Sequence, residues 1–427
     1  MFKFTDLIIC DLTESCNIDC KYCLMLNKHR HKGTFISFDL FKKIVNKAIH
    51  HRILQRREKI PLTFVFHGGE PFSVGKEHFY KLAEYAYTAF TNAGISFQFG
   101  TQTNGTYLDD EYLKILRKFE FSVGLSLDDL GPGNDLRIEN SEEFFQEKID
   151  LLLKNHFHVG IISVATSHNI KSLPEFMKKI HNLPGRGGQL TILPFENPDP
   201  ENMSYEADID DLFTVFRAAI DGFIERTGSD AKLIKTLIPM TFIDLVTDHQ
   251  RVFRSGCGGK ICGTAIGMIS IRPDGWFGNC DRFPEETEFN NVIRLEDFDF
   301  LSNVQLKRAV YLADIKHKLM KKKGCDTCRA DYICPHGCMV FDYHRTEGFN
   351  IKDEVCHVHQ RFYDYISDNL IPFAHRLADN KIPIPCDEEI YSIKPDVASI
   401  LERNGIEVKI TSTIHGDYNN SLLFQRA

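Results

Sequence analysis

The sequence predicts an α/β fold, a partial (β/α)6 barrel followed by a cysteine-rich C-terminal domain. Three observations predict it. Between residues 7 and 196, short β-branched runs alternate with longer amphipathic ones, the pattern of repeated β/α units around a parallel sheet. Turn-forming motifs close these strands at their C-terminal ends, where open sheets of this kind place their sites. The thirteen cysteines fall into two clusters, at 10–23 and 257–356, with Cys386 alone beyond them and none between residues 24 and 256.

The first strand, Leu7–Leu12, runs directly into the first group of thiols. After Ser37, a plausible helix cap, Leu40, Phe41, Ile44, Val45, Ala48 and Ile49 fall on one helical face. Strands Leu62–His67, Phe97–Thr103, Phe121–Leu127, Val159–Ala165 and Leu190–Pro194 follow, with similar amphipathic faces after the second to fifth strands. Six units are too few for the closed eight-stranded barrel, so an open, partial one is expected. Ile209–Arg226 and Ala231–Val246 read as linking helices. Ile269–Arg272 and Trp276–Gly278 flank Pro273-Asp274-Gly275, a hairpin that would carry Cys280 back against the barrel opening. Beyond Cys356 a helical stretch reaches Leu377, and the tail holds a strand-like Ile390–Ile393, a helical Val397–Asn404 and a strand-like Glu407–Thr411. The expected domains are residues 1–204 for the barrel, 205–256 for a helical linker, 257–365 for the cysteine-rich domain and 366–427 for a C-terminal extension.

A chain of 427 residues exceeds the size at which one core usually stops growing. Its composition, 43% hydrophobic and 26% charged with a net charge of −8, is that of an ordinary globular protein. It offers no electrostatic case for nucleic acid, whose phosphates select a basic surface. Asp6, Asp11 and Glu14 interrupt the first residues, and no stretch approaches the roughly 20 apolar residues of a membrane span. A cytoplasmic protein without a membrane partner is expected. In that reducing compartment, thirteen cysteines point to metal rather than to disulfides.

The segment Cys16-Asn17-Ile18-Asp19-Cys20-Lys21-Tyr22-Cys23 places three thiols directly after the first strand. Three thiolates can hold three irons of a four-iron cluster and leave one iron open. Zinc is the competing reading and would need a fourth ligand. His67-Gly68-Gly69-Glu70-Pro71 closes the second strand and Gln102-Thr103-Asn104-Gly105 the third; each alone would pass for a turn. Ser126-Leu127-Asp128 closes the fourth strand, with Arg137 beyond it, and Leu193-Pro194 closes the sixth. In the C-terminal half, Cys257, Cys262, Cys280, Cys325, Cys328, Cys334, Cys338 and Cys356 suffice to ligate two four-iron clusters. A zinc ribbon at Cys325 and Cys328 is the alternative there.

The CxxxCxxC loop with Tyr22 before its last Cys, together with the GGEP and QTNG segments, resembles the radical S-adenosylmethionine (SAM) superfamily. The spacing of the later cysteines is similar to that of its SPASM-domain subfamily, which includes peptide maturases of the RiPP type and anaerobic sulfatase-maturating enzymes. The resemblance covers roughly residues 7–360 and implies three 4Fe-4S clusters. Cys16, Cys20 and Cys23 would carry the SAM-binding one. Cys257, Cys262, Cys280 and Cys338 would carry the first auxiliary cluster, and Cys325, Cys328, Cys334 and Cys356 the second. Cys10 and Cys386 remain as ordinary semi-buried residues.

The resemblance also implies a SAM pocket of Tyr22, Gly68, Gly69, Glu70, Gln102, Asn104, Ser126, Arg137 and Leu193. Within it Glu70 would accept the SAM ammonium, with the glycines admitting close approach. Ser126 would contact the ribose, Arg137 the methionine carboxylate, and Leu193 the adenine. Asp281, directly after Cys280, is a candidate general base or a structural Asp. The implied partners are a peptide or protein substrate and an electron donor such as flavodoxin or ferredoxin. The radical motif begins at Cys16, which leaves no room before it for the fused leader-recognition domain that some peptide maturases carry, so leader recognition, where it is needed, would fall to a separate protein.

The activity so implied is that of an oxidoreductase and peptide maturase. One-electron reduction cleaves SAM to a 5′-deoxyadenosyl radical, which abstracts hydrogen from a side chain and leads to oxidation or to a C–C or thioether crosslink. The alternatives are a sulfatase-type formylglycine maturase, a small-molecule radical SAM dehydrogenase, and a non-catalytic iron–sulfur carrier. A carrier has no use for a SAM pocket, so Glu70, Ser126 and Arg137 argue against it.

Overall fold

The computed structural model describes residues 5–23, 34–184, 188–194, 204–225, 245–247, 267–278, 280, 286–287, 290–291, 293–294, 314–334, 336, 353–380, 384–386, 392–411 and 420–427. Within them the expected α/β architecture is present. In chain order the strands of the first half are β1 (Leu7–Thr13), β2 (Leu62–Gly68), β3 (Phe97–Thr103), β4 (Phe121–Ser126), β5 (Val159–Ala165) and β6 (Gly188–Pro194). They pair in parallel, each with the next. Helices α1 (Phe38–Leu54), α2 (Lys76–Asn92), α3 (Asp110–Lys118), α4 (Glu142–Lys154) and α5 (Leu173–His181) follow the first five strands. Ser37 caps α1 as expected, its side chain accepting from the Leu40 N–H.

Alternation along the strands separates two faces. On β2, Leu62, Phe64 and Phe66 are buried while Thr63, Val65 and His67 are half-buried. Phe66 meets Phe41 of α1, Phe79 of α2 and Phe121 of β4 with ring centroids 5.5, 5.3 and 4.9 Å apart. Each such ring fully removed from water contributes roughly 1.5–3 kcal/mol, so this aromatic layer fixes the helices on one face of the sheet. The other face carries His67, Gln102 and Ser126 at the C-terminal strand ends.

The sheet continues beyond the expected barrel. The predicted hairpin forms from β7 (Met268–Ile271) and β8 (Trp276–Gly278), which pair antiparallel. It does not stand in a separate C-terminal layer: β7 lies parallel along β1, with Leu7 opposite Met268 and Cys10 opposite Ile271. This covers the open edge of β1, whose backbone groups would otherwise lack partners. The short strands β9 (Glu286–Thr287) and β10 (Asn290–Asn291) pair with each other, and β11 (Ile293–Arg294) pairs with β8 to complete a nine-stranded sheet.

Helix α6 (Ile209–Glu225) matches the first expected linking helix. Of the second, Leu245 and Val246 are described and the rest lies outside the described residues. The helical stretch after Cys356 is two helices, α7 (Asp353–Asp368) and α8 (Leu370–Asn380). In the tail, α9 (Pro395–Arg403) and β13 (Ile406–Thr411) stand where expected, but β12 (Ile384–Cys386) and β14 (Asn420–Arg426) add two strands the sequence did not signal. β12 is three residues around Pro385, too short to show a period, and β14 has Leu422, Leu423 and Phe424 in succession rather than in alternation. Of the expected Ile390–Ile393 strand only residues 392–393 are described, and Ile393 makes an isolated bridge with Thr247. Among the described residues no helix is long and apolar enough to cross a membrane.

One buried ion pair fastens α1 to the start of β1. The Arg52 side chain is 1% exposed and meets the Asp6 carboxylate at 2.5 Å, while donating also to the Thr5 and Ile60 carbonyls. Arg57 shares the same carboxylate at 2.8 Å. Removing one partner of a buried pair leaves the other uncompensated. Asp6→Ala is therefore expected to destabilise the fold by about 3–5 kcal/mol in denaturant titration; a change within 0.5 kcal/mol would mean that Arg52 finds water or another partner.

Candidate active site

β1 runs into the cysteine loop through Thr13, Glu14 and Ser15, and the Gly68-Gly69 turn lies directly on that segment. The Gly69 N–H donates to the Thr13 carbonyl at 2.8 Å and the Glu70 N–H to the Ser15 carbonyl at 2.8 Å. A Cβ on Gly69 would stand 2.2 Å from the Ser15 carbonyl oxygen. One on Gly68, whose φ is +132°, would stand 2.2 Å from the Thr13 carbonyl oxygen. The close approach expected of these glycines is present, and its partner is the root of the cysteine loop.

Glu70 is held by internal partners. Its side chain is 0% exposed, and the carboxylate accepts from the Phe72 N–H at 3.1 Å, the Thr103 hydroxyl at 2.8 Å and the Asn104 N–H at 2.7 Å. Burial pushes its pKa up, and the three hydrogen bonds oppose that rise. The carboxylate thus clamps the end of β3 to the turn after β2. Asn104, held by that clamp, donates through Nδ2 to the Cys16 sulfur at 3.6 Å and to Asn17 Oδ1 at 3.0 Å.

Arg137 also has an internal carboxylate. Its guanidinium donates to the Tyr22 hydroxyl at 2.7 Å and lies 3.6 Å from Asp128 Oδ1, and the Tyr22 hydroxyl donates to the other Asp128 oxygen. Asp128 is 1% exposed; its Oδ1 accepts from the Val164 N–H at 3.0 Å, and its carbonyl from Ser163 and Asn169. Burial holds the Tyr22 phenol well above its usual pKa, with Arg137 opposing. The Arg137 Nε is sealed from solvent and makes no hydrogen bond among the described residues. Beside this network Cys20 is buried, and Cys16 and Cys23 are half-buried. Burial pushes the Cys20 thiol up to about 12, opposed by Arg137 and reinforced by Cys23 and Asp128.

On the open face, Gln102 Nε2 donates to the Ser126 hydroxyl at 2.8 Å. Gly124 makes room for it, since a Cβ there would meet Gln102 Oε1 at 1.9 Å. Leu193 lies half-buried on β6, opposite Val164. Sequence reasoning gave Asp128 no role, although a carboxylate closing a strand two residues after Ser126 was the available signal.

Four C-terminal thiols, Cys325, Cys328, Cys334 and Cys356, lie near enough for their charges to be felt among them. Cys325 begins a 3-10 turn, Cys334 follows the Ala330 turn, and Cys356 lies in the first turns of α7. Burial, then the neighbouring Cys356 and Cys328 thiolates, push Cys325 up to about 11. Burial pushes Cys334 up to about 12; the His336 N–H donating to its sulfur at 3.4 Å opposes this, and Cys356 and Cys325 add to it. Gln360, one turn after Cys356, donates to the Cys328 sulfur at 3.7 Å. Cys280 is buried just after β8, whereas Cys257, Cys262, Cys338 and Asp281 lie outside the described residues. Of the two leftover thiols, Cys10 is fully buried on β1 and Cys386 ends β12. Among the described residues no three Cys, His, Asp or Glu side chains close on one point as a single ion requires. A four-iron cluster asks for something else, each thiolate on its own iron.

Residues 11–180 match the Radical SAM superfamily. The chain is 21% identical over 416 residues to a cysteine-type anaerobic sulfatase-maturating enzyme of Clostridium perfringens, covering 87% of this chain and 98% of that protein. It resembles the solved structure of native anSMEcpe with bound AdoMet at a TM-score of 0.67 and 18% identity, over 86% of this chain and 99% of that one. It resembles Streptococcus suis SuiB bound to the precursor peptide SuiA at a TM-score of 0.56 and 15% identity, over 83% and 76% of the two chains. The family match thus falls on the barrel half, and the similarity of fold extends well past it.

The inward Glu70 predicts a measurable separation of roles. Glu70→Gln keeps the shape but sets an NH2 group against donors, each unsatisfied buried group costing about 1–3 kcal/mol. The melting temperature of the protein without clusters or SAM is therefore expected to fall. An unchanged melting temperature would return Glu70 to a role in ligand contact alone.

Proposed function

We propose, from the premise that residues 11–180 are a radical SAM domain, that this protein is a peptide- or protein-modifying enzyme with one SAM-binding and two auxiliary 4Fe-4S clusters. The observation that carries the reading is the gathering of two separate thiol sets in one chain, Cys16 with Cys20 and Cys23 after β1, and Cys325 with Cys328, Cys334 and Cys356 at α7. A peptide substrate is supported by the similar proteins, which are named for sulfatase maturation and for a bound precursor peptide.

When bound, the N-terminal cluster and SAM supply the one-electron chemistry that removes hydrogen from substrate. The residues fit such an occupant. The unpartnered Arg137 Nε is a buried donor that suits an anion such as the methionine carboxylate. Tyr22 and Asp128 hold that guanidinium in place. Gln102 and Ser126 offer polar contacts to a ribose, and Leu193 offers an apolar strand end to adenine. Glu70 fixes the turn and Asn104, and would accept the SAM ammonium from that position. Cys257, Cys262, Cys280 and Cys338 would hold the first auxiliary cluster in the 257–365 region, with Asp281 beside it to accept a proton from substrate. An electron donor of the flavodoxin or ferredoxin type completes the reading.

Anaerobic reconstitution is expected to yield about twelve irons per chain, because three four-iron clusters follow from eleven assigned thiols. Replacing Cys16, Cys20 and Cys23 together with Ala should abolish 5′-deoxyadenosine formation and leave the other two clusters in place. Incubating the loaded enzyme with SAM, a reductant and candidate precursor peptides should give a mass change on the peptide. Zinc in place of iron, or undiminished SAM cleavage by the triple variant, would refute the reading.

Arg137→Ala is expected to weaken SAM binding and also to lower stability, since it leaves the Asp128 carboxylate buried without its cation. Isothermal titration with SAM and a melting curve check the two effects separately. SAM affinity retained alongside lost stability would make Arg137 purely structural.

A further inference from the structure

Asn104 closes β3 with every polar atom of its side chain committed. Its Oδ1 accepts from the Thr106 N–H at 2.9 Å and from the Thr106 hydroxyl at 2.6 Å. Its Nδ2 donates to Asn17 Oδ1 at 3.0 Å and to the Cys16 sulfur at 3.6 Å. The two donors to Oδ1 fix which end of the amide is oxygen, so an N–H rather than a carbonyl faces the sulfur. The position is equally fixed: Asn104 is 5% exposed and its backbone N–H is held by the Glu70 carboxylate at 2.7 Å. Asn17, in turn, donates to the Thr106 hydroxyl at 2.9 Å, closing a ring of contacts around the first thiol.

The structure assigns the Asn104 carboxamide to the Cys16 sulfur, as a positioning donor that raises the reduction potential of the cluster carried by Cys16, Cys20 and Cys23. The inference rests on the proposed radical SAM function and deepens it. Reduction adds one negative charge to a cluster and its sulfurs, and an N–H dipole aimed at a ligand sulfur favours the more negative state. Among the described residues Asn104 is the side-chain donor to Cys16, so the chain reaches the first ligand's electronics through the third strand's turn. The QTNG segment then acts on electron entry rather than on SAM directly.

The test is an EPR-monitored redox titration of the reconstituted holoenzyme, following the signal that changes when SAM is added. Asn104→Asp keeps the size and the acceptor for Thr106 but turns an oxygen toward the sulfur. Its midpoint potential is expected to shift to more negative values than wild type, and Asn104→Ala to shift in the same direction by less. A variant that assembles the cluster and titrates with the wild-type midpoint overturns the inference, because a merely structural asparagine would change cluster yield without moving the potential. Should neither variant assemble the cluster, wild-type holoenzyme made with 15N-asparagine decides. A 15N hyperfine coupling on the reduced cluster supports the inference, and its absence overturns it. A wild-type protein with no SAM-responsive cluster overturns both this inference and the proposed function, whereas a SAM-responsive cluster indifferent to Asn104 overturns this inference alone.

Discussion

The Glu70 carboxylate accepts from three donors on two segments, the Phe72 N–H in the turn after β2 and the Thr103 hydroxyl and Asn104 N–H at the end of β3. A buried carboxylate without such donors would be costly, and with them it becomes a rigid junction. Through its own backbone N–H the same residue holds Ser15, one position before the first thiol. The glycines ahead of it are required because any Cβ would collide with the Thr13 and Ser15 carbonyls. The near side of the three-thiol loop is thus held by a hydrogen-bonded junction between two strand ends, which the loop's own Asn17 meets through Asn104.

A second junction, centred on Asp128, fixes the far side of the same loop. Tyr22 and Arg137 both reach this carboxylate, and the Val164 N–H on β5 holds it from behind. The charges of Arg137 and Asp128 offset each other in a site that excludes water, where separating them would cost several kcal/mol. One junction therefore orients Cys16 by way of Asn104. The other sets the surroundings of Cys20 by way of Tyr22 and Arg137. Both junctions occupy C-terminal strand ends, where side chains from successive strands can converge without disturbing the packed helix layer.

The strands and helices that carry these junctions were legible because their signals are local. Phe64 and Phe66 alternate with Val65 and His67 on β2, and Ser37 precedes a clear apolar face on α1. The thiol groups were legible for the same reason, since ligand spacing is a short-range pattern. What the sequence concealed was the partner of each polar residue. Arg137 meets Tyr22 across 115 positions and Asn104 meets Cys16 across 88, and nothing near either residue announces it. The sequence assigns Glu70 and Arg137 to a ligand and gives no sign of the internal bonds that each makes. The parallel pairing of β7 with β1 was hidden likewise, because strand order is decided by which edge is left uncovered and not by the strand's own residues.

The two described thiol sets also differ in what fixes them. Cys16, Cys20 and Cys23 lie on a loop held in place by neighbouring strand ends, with Cys16 and Cys23 partly open to solvent. Cys325, Cys328, Cys334 and Cys356 are drawn together by a turn and the start of α7, and α7 packs its Phe362 against Phe213 and Phe216 of α6. Burial raises the thiols of Cys325 and Cys334 to about 11 and about 12, so both are protonated at neutral pH without metal. A metal that binds there must displace those protons, and the free energy it returns is coupled to the fold that gathers the sulfurs. On the proposed reading the N-terminal loop would instead hold a cluster with one iron left reachable. A scaffold that grips it from the strand ends, through Gly69, Glu70 and Asn104, fixes the ligands from outside the loop.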